Sequence, residues 1–144
     1  MSQTNLQFSV ACHLLAALAY NHKEPLTSAK LALSVGADVT FVRRTIAKLA
    51  RAELIRTTRG KAGACLLARR PSSINLLDVY QASQAPAVFA IHGYPIQPLC
   101  PTSCHIKDTM SRVLDKAQSD FEKSLSKFSL ADLVKDIKAS ESRA

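Results

Sequence analysis

The stretch from Leu26 to Ala52 constrains the fold more than any other part of the chain. Leu26-Thr27-Ser28 puts hydroxyls where a short helix needs a cap, with Leu31 and Ala32 facing inward. Gly36 supplies a sharp turn, and Asp38 is suited to cap a further helix running to about Ala52. On that helix Val42, Ile46, Leu49 and Ala50 form an apolar stripe. At the helical angle, Thr40, Arg43, Arg44, Ala47, Lys48 and Arg51 gather on the opposite face. Two helices joined by a glycine turn, the second cationic outside, read as a helix-turn-helix. The second helix of that motif lies in the DNA major groove.

The flanks extend the pattern. Phe8, Ala11, Cys12, Leu15, Leu18 and Ala19 predict a first helix, which Lys23-Glu24-Pro25 ends. Leu54–Thr58 and Cys65–Ala68 read as two strands joined by the basic loop Arg59-Gly60-Lys61-Ala62-Gly63-Ala64, a hairpin wing. Ser73–Ala85 returns to helix, capped by Asn75 with Asp78 three residues on. Residues 86–101 hold four of the six prolines and Gly93, and so form a connecting loop. From about Thr102, Ile106, Met110, Val113, Ala117, Phe121, Leu125 and Phe128 recur at helical spacing. A helix of ~24 residues reaches ~36 Å, more than so small a domain covers by itself. Ser129-Leu130-Ala131-Asp132 starts a last helix with Leu130, Leu133, Val134 and Ile137 on one side, and the polar tail from Ala139 is expected to fray. The fold class is mainly α with a small β-hairpin wing. A winged helix-turn-helix DNA-binding domain spans 1–85, a Pro-rich loop 86–101, and a dimerisation helix with a C-terminal helix 102–144.

Charge follows the same division. Residues 1–70 carry 11 Lys/Arg against 3 Asp/Glu, whereas residues 71–144 carry 8 of each. Excess positive charge on one module suits a polyanion, nucleic acid above all. With no Trp, 3 Tyr and 5 Phe, the chain lacks the aromatic platforms that single-stranded RNA binders stack on. The apolar run Val10–Tyr20 is interrupted by His13 and too short for a bilayer, and no charged segment precedes it. The expected location is cytoplasmic, with no membrane partner and with Cys12, Cys65, Cys100 and Cys104 reduced.

Several stretches resemble the Rrf-two (Rrf2) family of bacterial winged-helix transcription regulators, which includes the iron–sulfur cluster regulator and the nitric-oxide-sensitive repressor. They are Leu26-Thr-Ser-Ala-Lys-Leu-Ala, Phe41-Val-Arg-Arg-Thr-Ile-Ala-Lys-Leu, Leu54-Ile-Arg-Thr-Thr-Arg-Gly, Leu67-Ala-Arg-Arg-Pro, Ile74-Asn-Leu-Leu-Asp-Val-Tyr-Gln-Ala and Ser129-Leu-Ala-Asp-Leu-Val. The resemblance implies a homodimer whose long helix crosses to the partner, bound to a roughly palindromic double-stranded DNA operator, more often as a repressor. The family's wing reads Arg-Gly-x-x-Gly-Gly-Tyr, but here Gly63 precedes Ala64 and Cys65. Cluster-binding members place three cysteines before the long helix. This chain has two there, Cys100 and Cys104, which points to a cofactor-free branch rather than an iron–sulfur protein.

The DNA-contact set read from the sequence is Ser28, Thr40, Arg43, Arg44, Lys48 and Arg51, with Arg59 and Lys61 on the wing. Arg can donate bidentately to guanine, worth ~1–3 kcal/mol of discrimination per base pair, and wing cations suit phosphates or a narrow minor groove. Arg56, Arg69 and Arg70 read as general electrostatics. Cys12 and Cys65 read as packing, with Cys12 also a candidate redox or ligand residue alongside Cys100 and Cys104. Cys104 is expected in the first turn of the long helix, where the dipole favours thiolate and allows reversible oxidation; the equal alternative is that these thiols sense nothing. A weaker alternative is metal binding by Cys100, Cys104 and His105, with His92 in reach, although zinc or a cluster wants four ligands. Two other classes compete: a winged helix docking an acidic protein without DNA, and a thiol enzyme. No general base fixed by a third group supports the enzyme, so the expected class is non-enzymatic.

Overall fold

The computed structural model describes residues 6–21, 24–58 and 63–143. The order is α1 (Leu6–Tyr20), β1 (Leu26–Thr27), α2 (Ser28–Val35), α3 (Val39–Arg51), β2 (Ile55–Thr57), β3 (Ala64–Leu67), α4 (Leu76–Ala82), α5 (Pro101–Leu125) and α6 (Leu130–Arg143). A 3₁₀ turn at Pro71–Ser73 precedes α4.

Each helix of the turn motif starts and stops for a local reason. Thr27 Oγ1 accepts from Lys30 N at 3.2 Å to cap α2, and Asp38 Oδ2 accepts from Thr40 N and Phe41 N to cap α3. Gly36 closes α2 at φ 80°, a left-handed conformation where a Cβ would be strained. Glu53 takes the same role after α3 at φ 62°. There Leu54 N donates to Leu49 O and Glu53 N to Ala50 O, the two bonds of a Schellman ending.

The core joins Leu14, Leu15, Leu31, Val42, Leu49, Leu54, Ile74 and Val79, all essentially inaccessible. Such side chains contribute ~1.5–3 kcal/mol each on burial. The sheet has three antiparallel strands in the order β1-β3-β2, so Leu26 pairs with Cys65 and Thr57 pairs with Cys65 from the other side. The strand β1 replaces the helical start expected at Leu26.

Four other features depart from the sequence reading. Helix α4 is shorter than Ser73–Ala85, because Asn75 forms a full capping box with Asp78 and fixes the start at Leu76. Phe128 lies beyond α5, and its carbonyl accepts from Leu76 N. Thr45 is buried where Ala50 is only half-buried, because its hydroxyl is satisfied by the Phe41 carbonyl. Residues Ala139–Arg143 continue α6 instead of fraying, with Tyr20 Oη donating to Glu141 and Lys138 lying 5.4 Å from the Tyr20 ring centroid.

Helix α6 returns onto α1, with Leu130 and Val134 buried, and Leu130 N donates to Ile74 O at 2.8 Å. Helix α5 is different: none of its 25 residues is buried. Gln118 forms the helix's chief polar link to the body. Gln118 Oε1 accepts from Val88 N and Gln118 Nε2 donates to Tyr80 Oη, both at 3.0 Å. Tyr80 Oη donates to Pro86 O, and the Tyr80 ring stands edge-on to Phe8 and Phe121, each at 5.5 Å.

Candidate nucleic-acid interface

Helix α3 carries the candidate surface because its inner side is fully committed. Val42, Thr45, Ile46 and Leu49 are buried, so Thr40, Arg43, Arg44 and Arg51 stand exposed and Lys48 lies half-buried at the margin. One residue from the preceding helix joins them: Arg43 Nε donates to Ser28 Oγ at 3.3 Å. That contact ties the turn of the motif together and orients one guanidinium while leaving its terminal nitrogens to other partners. Among the described residues the one ion pair is Lys116–Asp120 at 2.8 Å, on α5. The α3 cations therefore face outward with their charge uncompensated by a carboxylate.

The wing residues Arg59 and Lys61 lie outside the described residues. The strands leading to them are in place, and Thr58 holds them together through Ala64 O. Cys65, which stands where an aromatic was expected, is buried in the middle strand, and burial pushes its thiol pKa up. Arg56, Arg69 and Arg70, read from the sequence as general electrostatics, are brought together by the fold. They share a groove at the foot of the hairpin with Leu66, Leu67 and Pro71, which the pairing of Arg56 with Leu66 on one face of the sheet could have suggested.

The remaining thiols fall in two settings. Cys12 sits on α1 facing α6, and burial pushes its thiol up to about 12, which disfavours thiolate at neutral pH. Cys100 is exposed and is itself the N-cap of α5, its Sγ accepting from Ser103 N at 3.4 Å. Cys104, one turn on, directs its thiol at the carbonyls of Pro98 (3.6 Å) and Gln97 (3.9 Å). Cys100 therefore presents its sulfur to solvent at the helix N-terminus, whereas the Cys104 thiol is turned toward the loop carbonyls. The sequence expectation of Cys104 in the first turn holds, but the cap itself is Cys100.

A family model described as "Iron-dependent Transcriptional regulator", Rrf2, matches residues 4–136. The chain belongs to the Rrf2 family. A Bacillus subtilis (strain 168) relative described as the HTH-type transcriptional regulator YwnA is 32% identical over 131 residues, covering 90% of this chain and 96% of its own. A Lactobacillus plantarum structure described as a transcriptional regulator superposes with a TM-score of 0.79 at 25% identity, over 92% of this chain and 90% of that one. The T. potens IscR structure shares the fold, with a TM-score of 0.71 at 20% identity over 96% and 90% of the two chains. This Rrf2 protein is a transcriptional regulator with a winged-helix fold and a long C-terminal helix. No helix among its described residues is long and apolar enough to cross a membrane.

The family description raises iron, and the donor set tests it. Among the described residues no three His, Cys, Asp or Glu side chains come together as a metal site. Cys104 Sγ donates to carbonyls, His92 Nδ1 accepts from Tyr94 N at 3.2 Å, and His105 is exposed. Iron held by thiolates needs deprotonated sulfurs converging on one point. The arrangement of Cys100, Cys104 and His105 in one chain does not fit that requirement.

Proposed function

We propose that this Rrf2 protein is a homodimeric, sequence-specific DNA-binding repressor that lays α3 in the major groove of a palindromic operator. The observation that carries the reading is the outward face of α3: five polar or cationic side chains backed by a buried stripe, with no carboxylate paired to them. Ser28, Thr40 and Lys48 serve phosphates and base edges, Arg43 and Arg44 suit guanine O6 and N7, Arg51 the backbone, and Arg59 and Lys61 the flanking groove. Helix α5 supplies the dimer contact. Its Ile106, Met110, Val113 and Ala117 form one stripe, beside a second stripe of Leu114, Gln118, Phe121 and Leu125 that faces its own body. A dimer aligns two recognition helices with half-sites about one helical turn apart, and a bound dimer blocks other proteins from the same duplex.

The response we assign to the cysteines is thiol oxidation. One hydroperoxide oxidises the exposed Cys100 thiol to a sulfenic acid and leaves as alcohol or water, the thiol's proton going to the departing oxygen. Cys104 then displaces hydroxide, which takes up a proton, to close a disulfide within one turn.

Fluorescence anisotropy on duplexes selected from a random pool tests the DNA reading. Arg43→Ala should flatten sequence preference by about 5- to 100-fold, whereas Lys61→Ala should weaken all duplexes alike. The log–log salt slope should fall by about 0.9 for each phosphate contact removed. If neither substitution changed binding, the reading would be wrong. Salt-insensitive binding to an acidic protein, with no duplex affinity, would favour the docking alternative.

A further inference from the structure

A cleft of about 360 Å³ separates Ala87–Ile91 from α5, walled by Val88, Phe89, Leu114, Gln118 and Phe121 with Asp115 at its side. That volume lies within the range of small-molecule sites. The polar groups sort into one used and one free. Gln118 spends both ends of its amide on Val88 and Tyr80. Asp115 is the one charged residue of the lining, and among the described residues it has no ion-pair partner.

This combination selects a chemistry. Asp115 is exposed at the rim of the cleft, so it would repel an anion and offer a neutral apolar molecule nothing. A cation with an organic body meets both demands, since the rings of Phe89 and Phe121 attract positive charge as well as apolar surface. We propose that the cleft binds a small hydrophobic organic cation, an aryl- or alkylammonium, with Asp115 as counter-ion and the two phenylalanines as walls. Ala117 lines the cleft and also belongs to the exposed stripe of α5, so a second copy's helix on that stripe would border the site. An occupant would press on Val88 and Gln118, which hold Tyr80 and through it the winged-helix body. Any effect on operator affinity rests on the DNA reading above; binding itself does not.

The test uses the full chain without DNA and compares benzyltrimethylammonium with its uncharged isostere neopentylbenzene by NMR titration. The cation should bind about tenfold tighter than the isostere, and Asp115→Asn should erase that margin. Phe89→Leu, at an exposed position that leaves the fold alone, should weaken the cation about threefold. Equal binding of the two compounds, no binding of either, or an unchanged margin in Asp115→Asn would overturn the proposal. Binding gained only in a dissociated Val113→Asp variant would assign the cleft to a second copy's side chains and overturn it too.

Discussion

Helices α3 and α5 are both amphipathic, yet they end in opposite circumstances. The apolar stripe of α3 is covered by α1, α2 and the sheet, so its polar face is what remains for a partner. Helix α5 has an apolar stripe at least as long, but its Val113 is 54% exposed and Met110 37%. The same periodicity therefore specifies a core in one place and a solvent-facing stripe in the other. What separates them is whether the rest of the chain can reach. An α5 of about 37 Å extends past a body that touches it firmly only through α4 and the connecting loop.

The largest expected effect breaks the comparison outright. Leu49→Ala, in the fully covered stripe, should cost ~2–5 kcal/mol in urea unfolding. Val113→Ala should leave the stability of the isolated protomer within about 0.5 kcal/mol while weakening self-association in sedimentation equilibrium. Equal losses at both positions would mean that α5 is packed within its own chain. A smaller effect separates the two left-handed helix ends of the packed half. Gly36→Ala should destabilise by ~1–2 kcal/mol, and Glu53→Gly should stabilise by up to about 1 kcal/mol, because glycine alone enters that conformation freely. Thermal unfolding of the two variants should therefore shift in opposite directions.

The thiols give the finest distinction. Cys100, exposed at the start of α5, should be alkylated at neutral pH well before Cys12 and Cys65, as mass spectrometry would show. Burial raises the folded pKa of Cys12 from 9.0 to about 12, so the stability it supports is complete below about pH 9 and lost as pH climbs towards 12. Cys12→Ala should flatten that alkaline limb in chemical denaturation. An unchanged limb would mean that other groups, lysines among them, set it.

The same contrast explains what could be read from residues alone. The ends of α3 were legible because Asp38, the stripe and the cationic face each act within a few residues. The start of α5 was legible to within one position from its apolar repeat, although Pro101, assigned to the loop, is the first helical residue, where no amide proton is needed. Long-range pairings were not. Leu26-Thr27 carries a helix-start signature that is correct for Thr27, yet both residues also pair with a strand almost forty positions later. Periodicity gave the buried side of α6 but not α1 as its neighbour. Nothing local announces that Gln118 meets Tyr80, and a polar tail looked frayed because its tie to Tyr20 spans the chain. Among the candidate contacts the sequence supplied the face of α3, but it missed the bond from Arg43 to Ser28, which needs two helices at a set angle.

The Tyr80–Gln118 node has an evolutionary corollary. Replacing Tyr80 by Phe would deprive two groups of their partner at once, the Pro86 carbonyl and the Gln118 amide. Replacing Gln118 by Leu would orphan the Val88 amide. Neither change is harmless alone, so descendants of this chain should keep the two residues as an inherited couple or exchange both together, shifting the loop that runs between them.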